Sequence, residues 1–188
     1  RFARALAQRE PGSFVLLSLN YDTLLDDALA GAGLAPDYGL DGEGKGGALL
    51  LKLHGSLNWA HCQACDHLEV AREQVAHRLP RVAGLACGRC GNPRLAGVVI
   101  SPTLMKRYTP PPLGRVFDRA LQAVRQARRI TFVGYSLPPA DVAIHQLIRR
   151  GLLSRPGAEP PAITVINHRR SRTLVDRFTR LFGPRVRF

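Results

Sequence analysis

Apolar residues in this chain gather into short runs bounded by breakers. Phe14 to Leu19 reads F-V-L-L-S-L, between Pro11-Gly12 and Asn20. Such a run predicts a strand buried on both faces, the kind that builds parallel sheets. Ala48 to Leu53, Ile130 to Val133 and Ile163 to Ile166 repeat the pattern, and Val98 to Ile100 is a shorter run closed by Pro102. Between these runs the period changes. Thr23 to Ala30 places Leu24, Leu25, Ala28 and Leu29 at helical spacing, with Asp26 and Asp27 in the first turns and Gly31 and Gly33 at the end. Val116 to Arg128, Asp141 to Arg150 and Arg172 to Leu181 predict three further helices. Strands alternating with helices predict an α/β domain with a parallel sheet.

Other segments lack this rhythm. Arg1 to Glu10 is amphipathic and reads as the end of a helix that begins elsewhere. Asp41 to Gly47 is a glycine-rich connection, with no Lys-Ser/Thr pair to make a phosphate loop. Pro110 to Pro112 stiffens another connection. Trp59 to Gly97 has no long apolar period and holds all four cysteines.

The length of 188 residues suits one domain with a small insertion. No run of 18 apolar residues occurs, which excludes a helical membrane span, and the start lacks the apolar centre of a secretory signal. The net charge of +13 comes almost wholly from arginine, since lysine stands only at 45, 52 and 106. Such a field attracts phosphates and acidic partners. The arginines are scattered and do not interleave with aromatics as a single-strand groove requires. Nucleic acid is therefore the less favoured partner.

The cysteines form two C-x-x-C pairs, Cys62/Cys65 and Cys87/Cys90, with none left over. This spacing predicts a closed, all-thiolate, structural zinc site and suits a reducing compartment, the cytoplasm. His61 and His67 stand beside the first pair and read as surface residues.

Four polar sites fall at the carboxyl ends of the predicted strands: Asn20-Tyr21-Asp22, His54-Gly55-Ser56, Gly134-Tyr135-Ser136 and Asn167. Ligands of open α/β sheets bind outside those ends. Each site has a plainer reading. Asp22 alone reads first as a helix cap, His54 alone as a structural histidine, and the Gly134 turn and Asn167 as ordinary turn chemistry. Their shared position on one rim is what favours a ligand.

In order, N-Y-D-T-L, H-G, two cysteine knuckles, G-Y-S-L and I-N resemble the motifs of the sirtuin superfamily, NAD-consuming enzymes with a Rossmann domain and a small zinc module. The resemblance covers about Phe14 to Asn167. It implies a Rossmann-like domain over 1–59 and 98–188 and a zinc-ribbon module over 60–97. It also implies roles. Asn20 positions the nicotinamide ribose and a water, and Asp22 holds the carboxamide. His54 acts as base on the ribose hydroxyls. Gly134 and Ser136 meet the phosphate and adenosine side, and Asn167 the adenosine ribose.

The chain departs from the sirtuin pattern at three places. It has no G-A-G-x-S strand and turn, so the sheet is expected to lack its first, central strand, leaving two open edges, and this fragment alone is expected to be inactive. V-V-I-S-P-T-L-M-K stands where deacylating sirtuins have a strand ending F-G-E. Y-S-L-P-P-A-D replaces the usual adenosine turn. The combination is similar to divergent bacterial sirtuin-like domains, several of which hydrolyse NAD in defence. The expected function is NAD hydrolysis. NAD-dependent deacylation of an acylated protein is the enzymatic alternative. The non-enzymatic alternative is a basic zinc-containing module that binds nucleic acid or protein.

Overall fold

The structure is a computed structural model, and it describes residues 1–10, 12–40, 47–71, 86–100, 110–155, 157 and 159–188. The glycine-rich connection at 41–46, the middle of the cysteine segment and the 101–109 stretch, which holds all of S-P-T-L-M-K, lie outside the described residues. The chain folds as two compact units. Among the described residues, the first holds Arg1 to Ile100 and Pro110 to Arg119, and the second holds Ala120 to Phe188.

The first unit begins with helix α1 (Phe2–Ala7), strand β1 (Leu16–Ser18), helix α2 (Leu24–Ala30), strand β2 (Pro36–Asp37) and strand β3 (Ala48–Lys52). β3 lies between β1 and β2 and is parallel to both, with Ser18 level with Lys52 and Pro36 level with Ala48. The alternation of apolar side chains along β3 supplies the core. Leu50 and Leu29 are fully buried and pack with Ala3 and Ala48, while Leu6, Phe14, Leu16 and Leu25 close around them. Burying each such leucine contributes about 1.5–3 kcal/mol.

A second, antiparallel sheet follows. Strand β4 (Gly55–Cys62) pairs with β5 (Leu68–Val70) on one side and β6 (Leu95–Val99) on the other. The eight-residue β4 has no counterpart in the periodicity reading, because it is almost wholly buried and mixes Ser56, Asn58 and His61 with Leu57, Trp59 and Ala60. Polar and apolar letters alternate only from Ser56 to Trp59, a stretch too short to stand out, and both sets are buried. Its entry is set by Gly55, at φ +75, where a Cβ would lie 2.0 Å from the Val98 carbonyl oxygen. Only glycine allows β6 to approach this closely.

Helix α3 (Pro111–Gln126) carries the chain into the second unit, beginning at the proline run rather than at Val116. There, β7 (Arg129–Val133), β8 (Ala162–Ile166) and β9 (Val186–Arg187) form a parallel sheet in that order, connected by α4 (Val142–Leu153) and α5 (Arg172–Phe182). Its core is aromatic. Phe132 of β7 lies 5.0 Å from Phe178 and 5.4 Å from Phe182 of α5, centroid to centroid. Arg155 donates to the Val124, Arg125 and Ala127 carbonyls that end α3, a cationic cap of the sort helix carboxyl ends favour.

The expected mixed α/β architecture with parallel strands is present. Among the described residues β1 pairs only with β3, and β7 only with β8, so each presents one unpaired edge. Burial corrects the sequence reading. Neither β1 nor β7 is buried on both faces: Leu17 is 36% exposed and Val133 59%. The apolar runs were long enough for double burial, but no described element covers the second face.

Candidate functional site

Asn20-Tyr21-Asp22 is the turn between β1 and α2, and His54 lies in the turn between β3 and β4. Parallel pairing of β1 with β3 puts the two turns side by side, and several bonds fasten them. The Leu53 amide donates to the Ser18 carbonyl at 2.9 Å, and the Leu57 amide to the Tyr21 carbonyl at 2.8 Å. The Ser56 hydroxyl also reaches the Tyr21 carbonyl, at 3.5 Å. Asn20 and Tyr21 are exposed, Asp22 is half-buried, and His54 is 3% exposed. The Asp22 carboxylate accepts from the Leu24 amide at 3.1 Å. Asp22 thus precedes the cap residue Thr23 and holds the first helical amide with one carboxylate oxygen.

Beneath these turns lies a group that motif reading missed. Lys52, the last residue of β3, is completely buried. Its ammonium donates to the Asp22 carbonyl and to both Asp26 oxygens, at 3.2 and 3.0 Å. Tyr38 donates to the same carboxylate at 2.6 Å. Burial, and then the Asp26 carboxylate beside it, pushes the Tyr38 phenol well above its usual range. A buried charge is tolerated when paired and hydrogen-bonded on all sides, and here one cation joins the 20–22 turn to the strand that delivers His54. A signal was present in the sequence: a lysine inside the apolar run A-L-L-L-K-L.

In the second unit the Gly134 amide donates to the Ile166 carbonyl at 2.9 Å, which sets the Gly134–Ser136 turn next to Asn167 at the adjacent strand end. Gly134 has φ +69 with open space where a side chain would be, and Ser136 is exposed. Tyr135 is committed elsewhere. Its hydroxyl donates to Asp141, the residue before α4, at 3.0 Å, and burial together with that carboxylate raises its pKa. The structure thus groups Asn20, Asp22 and His54 in one unit, and Gly134, Ser136 and Asn167 in the other.

The four cysteines converge. Their sulfurs all lie within 4.8 Å of one another, with Cys62–Cys90 and Cys65–Cys87 both at 3.6 Å. A tetrahedral thiolate shell with ~2.3 Å metal–sulfur bonds requires edges of ~3.8 Å, and a disulfide requires ~2.05 Å. The spacing fits the first and not the second. The two knuckles also match in backbone form. The Asp66 amide donates to the Cys62 carbonyl and the Gly91 amide to the Cys87 carbonyl, and both residues take positive φ, +56 and +72. Burial raises the Cys62 thiol, but the Ala64 and Cys65 amides and the neighbouring sulfurs outweigh it and bring it down to about 7. The His67 amide favours the Cys65 thiolate, yet burial and three nearby sulfurs push it up to about 12. Four thiols this close need a cation to ionise together, and Cys62, Cys65, Cys87 and Cys90 would hold zinc. His61 is not a surface residue: it is 1% exposed and bonded to Asp66 at 3.1 Å, bracing the first knuckle.

No helix among the described residues is long and apolar enough to cross a membrane. No curated protein sequence matches the chain. Among solved structures, the chain is similar to a mutant Sir2 homologue with ADP-ribose, at 23% identity and TM-score 0.52, covering 100% of this chain and 58% of that one. It is similar also to a Sir2 homologue–NAD complex, at 23% identity and TM-score 0.50, covering 93% and 53%. The chain spans just over half the length of these solved relatives, and at this identity the likeness establishes the fold. The family model of the SIR2-like domain matches residues 15–180, a span that takes in both rims and the cysteine cluster, and the chain belongs to the SIR2-like domain family.

Proposed function

We propose that this domain binds NAD and breaks the bond joining nicotinamide to C1′ of its ribose, with water as acceptor. The products are nicotinamide, ADP-ribose and a proton. The observation that carries the reading is the fastening of the Asn20–Asp22 turn to the His54 turn at the carboxyl ends of β1 and β3, by the Tyr21 carbonyl and the buried Lys52 ammonium.

In this reading Asn20, exposed at the strand end, positions the ribose and the attacking water. Asp22 keeps one oxygen for the carboxamide while the other holds the Leu24 amide. His54 accepts a proton from the ribose side, the task a histidine suits near neutral pH. A carboxylate and an amide dipole fixed near C1′ favour the oxocarbenium-like charge that develops as nicotinamide leaves. Gly134 and Ser136 serve the phosphate and adenosine side, and Asn167 the adenosine ribose. The choice of water over acyl-lysine rests on the V-V-I-S-P-T-L-M-K segment standing where F-G-E would be. Unpaired thiols and a zinc shell fit a reducing cytoplasm.

The test is nicotinamide release by the intact polypeptide that carries this domain. Asn20→Ala and His54→Ala are each expected to slow it by ~10²-fold or more. Unchanged rates in both variants would refute the assignment. Release that begins only on addition of an acylated peptide would replace hydrolysis with deacylation.

A further inference from the structure

Lys52 and Asp26 form a buried ion pair that stability alone does not explain. Both are buried, and the ammonium meets both carboxylate oxygens. Replacing such a pair with apolar side chains of similar volume is often neutral or stabilising, because neither ion then has to leave water. The strand itself suits that exchange, since Leu50, Leu51 and Leu53 around Lys52 are all buried. A charge at such a place is best explained by a bond that an apolar pair cannot make.

That bond is the ammonium's third one. Besides Asp26 it donates to the Asp22 carbonyl, in the turn between β1 and α2. One residue earlier, the Tyr21 carbonyl accepts from the Leu57 amide at 2.8 Å and from the Ser56 hydroxyl at 3.5 Å. Two successive carbonyls of the turn are therefore pinned, one by β4 and one by Lys52. Each peptide group is a rigid plane, so pinning two in a row fixes the dihedrals between them. The direction in which the Asp22 side chain leaves the backbone is fixed with them. Asp26 is held in turn by the Tyr38 hydroxyl at 2.6 Å, and that hydroxyl accepts from the Asn58 amide at 3.5 Å. All of these residues belong to the first unit.

We propose that Lys52 is a positioning residue for cleavage of the nicotinamide–ribose bond, an inference that rests on the NAD reading of this site. Its ammonium holds the Asp22 carbonyl, and so sets the Asp22 carboxylate and the Asn20 amide at the reacting carbon. Asp26, braced by Tyr38, aims the ammonium. Lys52 is buried beneath the turn and touches no substrate, so it acts through Asp22 and not on the reacting atoms.

The experiment compares the intact polypeptide with its Lys52→Met/Asp26→Leu form. Closely similar urea midpoints are expected, since no charge is left uncompensated. For nicotinamide release, kcat is expected to fall about tenfold or more with KM for NAD within about twofold, because what is lost is alignment. Amide exchange of Leu24 and Leu57, whose acceptors lie in the turn, should quicken about tenfold at that same overall stability. Tyr38→Phe is measured beside it. This change removes a donor to Asp26 but leaves the Lys52–Asp22 bond, so kcat and both exchange rates should stay within about twofold even where the urea midpoint drops. A fall in kcat of about tenfold in Tyr38→Phe would overturn the proposal, and this arm decides the matter where the paired variant does not fold. So would a folded paired variant with unaltered kcat, or with unaltered exchange at both amides. An intact polypeptide that releases no nicotinamide refutes the NAD reading instead, and exchange at Leu24 and Leu57 then decides whether Lys52 holds the turn.

Discussion

Lys52 shows how one side chain links fold to candidate chemistry. It is a charge inside an apolar strand, and it persists because Asp26 and the Asp22 carbonyl accept from its ammonium while Tyr38 donates to the same Asp26 carboxylate. Lys52→Met leaves Asp26 buried without its cation, which costs about 3–5 kcal/mol. Urea denaturation of the variant checks this, and adding Asp26→Leu should recover most of the loss, because the uncompensated charge is then gone. Gly55 makes a second case. Its φ of +75 and the Val98 carbonyl 2.0 Å from an added Cβ leave no room for a side chain. Gly55→Ala is expected to cost more than ~2 kcal/mol, strain and clash together. A smaller loss, measured in the same way, would mean that β6 yields easily. The H-G pair thus has a structural reason for its glycine whatever His54 does.

At the scale of the element, the cysteine knuckles are the feature most completely written in the letters. Two C-x-x-C pairs met as two matching turns, and the sulfurs came within bonding range of one ion. The second sheet around them was not legible. Its longest strand, β4, is buried on both sides, and its short alternation breaks at Ala60. Metal content tests this element. One zinc per chain is expected, and Cys87→Ser should lose it together with protection of β4 and β5 amides in hydrogen exchange. Acidification should release it too, since protons compete for thiolates and only the deprotonated sulfurs bind. Retention of full β5 protection after chelation would show that the sheet stands without metal.

For the molecule as a whole, the candidate NAD residues fall in both compact units, Asn20 and His54 in one and Asn167 in the other. If both serve one substrate, changes in each unit must register on the same reaction in different ways. Asn167→Ala, which removes an amide proposed to hold only the adenosine ribose, is expected to raise KM for NAD with little change in kcat. Asn20→Ala, acting at the reacting carbon, is expected to lower kcat. Steady-state kinetics of nicotinamide release separates these outcomes. An Asn167→Ala enzyme with an unaltered KM would remove the second unit from the proposed site. The +13 charge belongs to this scale as well. It is spread over many arginines along the chain.

What the sequence by itself determined is local: which apolar runs form strands, which segments are helical, that the cysteines come as two knuckles, and that polar residues follow strand ends. Those features depend on side-chain period, turn residues and ligand spacing, all of which are contiguous in the chain. Tertiary structure alone decided which edges pair, that β1 and β7 keep one face open, that His61 is buried, and that Lys52 sits under the Asn20–Asp22 turn. Each of these depends on partners 5 to 50 residues away, and burial or a buried ion pair exists only once those partners have been brought together.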